Sequence, residues 1–153
     1  MTISPVIKSK ARAILESALA SSVYISGPMS NIPEYNAPLF MAADEELMEL
    51  GHSRFNPAAG LYECWAIAME QDLSQLCGCS VMLLLPNWQT SQGARIEVFV
   101  ARRLEKVIID ADVGLIGWDQ IDKINISDIE QLVVNQAIKL GLVQQTLTTG
   151  LWK

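Results

Sequence analysis

The chain has 153 residues, of which 50% are apolar and 18% charged. That length fits about one domain, and that composition excludes a disordered chain. Lys and Arg number 11 against 17 Asp and Glu, a net charge of −6; this argues against gripping a nucleic-acid polymer or an anionic membrane, but leaves room for a small anion held by backbone N–H groups and hydroxyls.

The first segment sets Lys8, Lys10 and Arg12 before Ala13 to Ala20, the outline of a leader ending Ala18-Leu19-Ala20. Glu16 interrupts it, and Ile7, Ala11, Ile14, Leu15 and Ala18 recur at helical spacing, so an uncleaved amphipathic helix is expected. Val23 to Ser26 is β-prone and stops at Gly27-Pro28. After a loop from Met29 to Tyr35, Asn36 is expected to cap a helix with Pro38 in its first turn. Phe40, Ala43, Leu47 and Leu50 line one face of it, and Gly51 ends it. Ser53 to Phe55 reads as a second strand, stopped by Asn56-Pro57. Glu63 to Leu76 is helical. Val81 to Leu85 is continuously apolar, the mark of a strand buried on both faces.

Pro86 to Gln92 then forms a loop, Gly93 to Glu105 a helix, and Val107 to Ile109 another buried strand. Leu115 to Trp118 is a weaker strand. Ser127 caps a helix that Gly141 is expected to stop near Leu140, and the tail from Val143 carries no clear pattern. No apolar run reaches the ~20 residues of a membrane span. The three cysteines, Cys64, Cys77 and Cys79, are odd in number and clustered, and the single histidine, His52, is distant. Neither a disulfide framework nor a zinc site is expected, but ordinary reduced thiols of a cytoplasmic protein.

Alternating strands and helices predict an α/β fold, a flavodoxin- or Rossmann-like doubly wound, mostly parallel sheet with helices on both faces. One domain is expected over 1–153: an N-terminal helix in 1–21, an α/β core in 22–110 and a C-terminal extension in 111–153. In a flavodoxin-like strand order the switch point lies between the first and third strands. The loops Gly27 to Tyr35 and Pro86 to Gln92 should therefore lie side by side and hold the site.

In the second loop, Ser91 can cap the following helix and Gly93 lets a ligand approach the backbone closely, where the helix N-terminus favours an anion. Glu97 lies about one turn in, and the helix terminus should help keep it ionised, which suits a carboxylate nucleophile. The same residues also describe an ordinary capped helix with a surface glutamate. Asp72 is a second carboxylate; such pairs can divide the breaking of a glycosidic bond between a nucleophile and an acid or orienting group. It also reads as a solvated helix residue near Glu70. The Tyr24 phenol could hold a carboxylate in place, or simply pack. Trp88 could stack on a base or cover the pocket, or equally anchor its loop.

Several pieces in order are similar to a known group: Tyr24-Ile25-Ser26-Gly27-Pro28-Met29-Ser30, Tyr35-Asn36, Phe40 with Ala42-Ala43, Gly51, Asn56-Pro57-Ala58, Asp72, Leu83-Leu84-Leu85-Pro86, Trp88, and Ser91-x-Gly93-Ala94-x-x-Glu97. From Tyr24 to about Ile108 the chain resembles the nucleoside 2-deoxyribosyltransferase-like superfamily. Within it, the similarity is greatest to a small bacterial and phage branch known only as a domain of unknown function. The resemblance implies cleavage of the N-glycosidic bond of a deoxynucleoside or its 5′-monophosphate, with Glu97 attacking C1′, Asp72 near base and sugar, and Tyr24 as the strand tyrosine. It implies that Gly27, Pro28, Met29 and Ser30 form a phosphate-side loop. Serine rather than aspartate at position 91 resembles the monophosphate hydrolases, where that serine contacts phosphate.

The chain departs from the branch at Asn31 (often glycine) and Ser80 (often aspartate), and its first loop lacks the arginine of hydrolase relatives. Asn31 still tolerates a positive φ. Ser80 can hydrogen-bond locally, but the charge is lost. The expected function is thus hydrolysis of the N-glycosidic bond of a nucleoside or deoxynucleoside 5′-monophosphate through a glutamate nucleophile, with no metal or organic cofactor. Alternatives are deoxyribosyl transfer, attack on another N-ribosyl bond such as that of NAD, and a non-catalytic nucleotide-binding or sensing module. An electron-transfer flavoprotein fits the fold but has no motif. The expected partner is a small nucleotide or nucleoside, with no nucleic-acid polymer and no membrane. A homo-oligomer, a dimer or a multiple of one, is expected from the apolar excess and from the family habit of completing the pocket across an interface.

Overall fold

The computed structural model describes residues 5–19, 21–59 and 65–150. Its elements are α1 (Ser9–Ser17), β1 (Ser22–Ser26), α2 (Ala37–Glu49), β2 (Ser53–Phe55), α3 (Trp65–Cys77), β3 (Val81–Leu84), α4 (Gln92–Arg103), β4 (Val107–Asp110), β5 (Gly114–Ile116), α5 (Trp118–Asp122) and α6 (Asp128–Gly150). The strands form one sheet in the order β2-β1-β3-β4-β5. The first four are parallel and β5 is antiparallel. This is the flavodoxin-like order, with the switch point between β1 and β3.

Side-chain alternation along the strands divides the core in two. Tyr24, Met82, Leu84 and Ile108 pack against Leu73 and Leu76 of α3, Ile96 and Val100 of α4, and Val134 of α6. On the opposite face Val23, Ile25, Leu83, Leu85 and Ile109 pack against Ala11 and Leu15 of α1 and Phe40 and Leu47 of α2. Helices therefore cover both faces.

The N-terminal segment is held at three points. The Glu46 carboxylate accepts the N–H groups of Val6 and Ile7 at 2.9 and 3.1 Å. The Lys8 N–H donates to the Ala111 carbonyl at 2.8 Å. His52, buried, accepts the Ser21 N–H on Nδ1 at 3.2 Å, which leaves Nε2 as donor to the Leu15 carbonyl at 2.8 Å. Ala20, the end of the leader-like motif, lies outside the described residues.

Three expectations need correction. Asn36 does not cap α2: it is left-handed (φ 61°), and its side chain forms no cap hydrogen bond. It follows Glu34 and Tyr35, also left-handed, and its Nδ2 instead donates to the Pro28 carbonyl at 2.9 Å. Gly141 does not stop α6, and the tail from Val143 is not patternless, because the helical backbone continues to Gly150. A lone interior glycine costs a helix only about 1 kcal/mol. The strand expected over Leu115 to Trp118 is β5, which ends at Ile116, and Trp118 instead opens the short α5, whose remaining residues carried no expectation.

Ser127 does cap α6: its Oγ accepts the Glu130 N–H at 3.2 Å while Glu130 Oε1 accepts the Ser127 N–H at 3.1 Å. Cys77 and Cys79 are buried free thiols, and burial raises the pKa of both. Cys64 and Glu63 lie outside the described residues. Among the described residues, no helix is long and apolar enough to cross a membrane.

Candidate active site

β1 and β3 run side by side with Ser26 opposite Leu84. The pairing continues one step, the Leu85 N–H donating to the Ser26 carbonyl at 2.8 Å. The loops that follow therefore leave the sheet together. Gly27 sits where they part, and a Cβ there would lie 2.9 Å from the Leu85 Cβ. Gly27→Ala should force the strands apart, lowering stability by about 1–3 kcal/mol and the melting temperature by about 3–10 °C. Thermal unfolding measures it; an unchanged midpoint contradicts the packing.

Glu97 is one and a half turns into α4, on the face turned to the sheet. It is 6% exposed, not a surface glutamate. The Tyr24 hydroxyl donates to its Oε2, and the Ser26 hydroxyl donates to its Oε1 at 2.8 Å. Tyr24 and Ser26 are two apart on β1, so the strand aims both at α4. Phe55 of β2 stacks on the Tyr24 ring at 5.5 Å between centroids and fixes it from behind. Asp72, on α3, is likewise buried rather than solvated, and its charge acts on Glu97.

Burial pushes the Glu97 carboxyl up to about 8; the Tyr24 hydrogen bond lowers it, the Asp72 charge raises it further, and the Ser26 hydrogen bond lowers it. The expectation that the helix terminus keeps Glu97 ionised is therefore corrected. Desolvation outweighs the two hydroxyls, and a macrodipole fades within the first turn. Two hydroxyl donors and a neighbouring carboxylate make this a proton-sensitive cluster.

Ser91 caps α4, its Oγ accepting the Ala94 N–H at 3.2 Å. Ser91 and Gly93 are half-buried and Ala94 is buried. Six residues of helix separate Ser91 from Glu97, about 9 Å along the axis. Arg95 faces away toward α6, pairing with Glu130 at 2.9 Å and donating to the Asn125 carbonyl. Burial works to raise the Glu130 carboxyl, but the bonds from Arg95 and Ser127 prevail and hold it below its ordinary value.

In the first loop Pro28 is buried, Met29 half-buried and Ser30 exposed. Asn31 has φ 62°, the conformation that a glycine would adopt freely. Trp88 is 3% exposed, and its indole N–H donates to Asp110 Oδ2 at 3.0 Å; that is the geometry of a loop anchor.

Two residues escaped the sequence reading. Ser26 carried a signal, a hydroxyl two positions after Tyr24 in a buried strand. Asp110 carried none, because only the folded sheet brings it to Trp88. Among the described residues, no group of three or more His, Cys, Asp or Glu side chains could hold a metal ion.

A family model, described as a domain of unknown function (DUF4406), matches residues 21–110. That is more than half of the chain, and the chain belongs to this family. Neither a curated protein nor a solved structure matches it.

Proposed function

We propose that the protein cleaves the N-glycosidic bond of a nucleoside or deoxynucleoside 5′-monophosphate by hydrolysis, with Glu97 as nucleophile. The observation that carries this reading is a buried carboxylate gripped by two strand hydroxyls at the switch point, with a second carboxylate acting on it. One Glu97 oxygen attacks C1′, and the C1′–N bond breaks with its electron pair leaving on the base. Asp72 delivers or orients the proton that the base takes up. Water then cleaves the glycosyl ester, its hydroxyl going to C1′ and its proton replacing the one passed to the base through Asp72, and Glu97 leaves as the carboxylate. The rise of about 9 Å from Glu97 to Ser91 leaves room for a pentose between the reacting carbon and a phosphate at the start of α4. The substrate is a soluble cytoplasmic nucleotide, and a homodimer is the proposed assembly, which light scattering tests.

The deciding experiment incubates the protein with nucleosides, their 5′-monophosphates and NAD, and follows free base by chromatography. Base release from a monophosphate supports the proposal, and nicotinamide release redirects it to NAD. Exchange onto an added second base, in place of hydrolysis, indicates transfer. Binding without release indicates a non-catalytic module, a second reading favoured by the burial of Glu97 and its elevated pKa.

Ser91 should set the preference for phosphate. A hydroxyl donating to a phosphate oxygen contributes about tenfold or more to binding. Ser91→Ala should cost the monophosphate about tenfold in kcat/KM and the nucleoside little. Ser91→Asp should reverse the preference, because its carboxylate repels phosphate and accepts from a free 5′-hydroxyl. Equal rates for both substrates in the wild type would reduce Ser91 to a helix cap.

A further inference from the structure

Asp110 ends β4 and is 8% exposed, yet the chemistry above does not use it. Its carboxylate gathers three donors: the Trp88 indole N–H on Oδ2 at 3.0 Å, and the Asp112 and Val113 N–H groups on Oδ1 at 2.8 and 3.3 Å. A carboxylate is acceptor-only, which matches three donors; the NH2 of an asparagine would face either the indole or the turn amides. Filling this space with an apolar side chain would avoid the cost of desolvating a charge. The donors explain the carboxylate.

From Trp88 the bonding continues into the loop. The Trp88 carbonyl accepts the Ser91 N–H at 3.1 Å, and the Ser91 hydroxyl accepts the Ala94 N–H at 3.2 Å. Just before Trp88 the loop passes the left-handed Asn87 (φ 66°), whose carbonyl accepts the Thr90 hydroxyl at 2.7 Å. The end of β4 is thus linked by consecutive hydrogen bonds to the first turn of α4.

We propose that Asp110 is a positioning residue: through the Trp88 indole it holds the β3–α4 loop in the shape that presents Ser91 and the first N–H groups of α4 to the phosphate of the substrate. The substrate in this statement rests on the proposed function; the anchoring does not.

The test compares wild type, Asp110→Asn, Trp88→Phe and the double variant, by hydrogen exchange of the Trp88 indole and Ala94 amide and by steady-state kinetics on the preferred 5′-monophosphate. Asp110→Asn should speed both exchange rates about tenfold or more. It should raise KM about tenfold, leaving kcat and the Glu97 limb of the pH profile unchanged. Trp88→Phe should reproduce the Ala94 and KM effects, and the double variant should be no worse than the worse single one. Trp88→Phe carries the test if Asp110→Asn does not fold. Unchanged Ala94 exchange in folded Trp88→Phe, or in an Asp110→Asn protein whose indole exchange is faster, overturns the proposal, as do losses that multiply in the double variant. If the wild type releases no base, the functional reading fails while the exchange rates still decide the anchor.

Discussion

Glu97→Gln should reduce base release by about three orders of magnitude or more, because an amide keeps the shape of the side chain but cannot form the glycosyl ester. The same variant should fold, and above neutral pH it should be the more stable protein. The native state holds a proton on Glu97 up to about pH 8, whereas the unfolded chain releases it near 4.5. Across that window the folded state binds more protons, so stability falls as pH rises. Glu97→Gln removes this loss, a difference on the order of a few kcal/mol at pH 9 and little at pH 4. Denaturant unfolding at both pH values measures it. A variant that retains normal turnover refutes the nucleophile, and one whose relative stability does not change with pH refutes the buried proton.

The second large effect is on pH dependence. Only the ionised form of Glu97 can attack, so kcat/KM should climb about tenfold per pH unit to about pH 8 and then level off. At pH 7 about a tenth of the free enzyme is competent. Removing the Ser26 hydroxyl takes away a donor that favours the carboxylate. Ser26→Ala should therefore move the limb upward and cost about tenfold in kcat/KM at pH 7, while leaving the plateau nearly unchanged. A profile flat from pH 6 to 9 in the wild type would contradict the assignment of Glu97.

Much of the scaffold was legible in the residues. The unbroken apolar run at Val81 to Leu85 identified a strand buried on both faces, and β3 pairs on both sides. Its place after β1 located the switch point, and Ser91 stood out as a cap because hydroxyl caps act locally. Long-range effects were not legible. The Glu97 proton depends on desolvation by other elements, which helical spacing does not encode. Asn36 looked like a cap until the fold offered it the Pro28 carbonyl. Asp110 found Trp88 across 22 residues of chain.

The attachment of α1 has a consequence for the order of folding. Its amphipathic face is synthesised before the sheet it covers, but the Ala111 carbonyl that accepts from Lys8 belongs to a segment more than a hundred residues later. Gly114, against which the Lys10 side chain lies, comes later still. Until β4 and β5 have emerged, only the ties of the N-terminal segment to Glu46 and His52 can form, and α2 already covers part of the face carrying Val23, Ile25 and Leu83. A short helix of nine residues has little stability of its own in water. The seat of α1 is therefore completed late, when the segment at Ala111 closes onto Lys8, and loop closure over that separation slows the step. Nascent chains halted before β4 leave one edge of β3 unpaired and α1 incompletely seated, the kind of exposed surface that a chaperone covers.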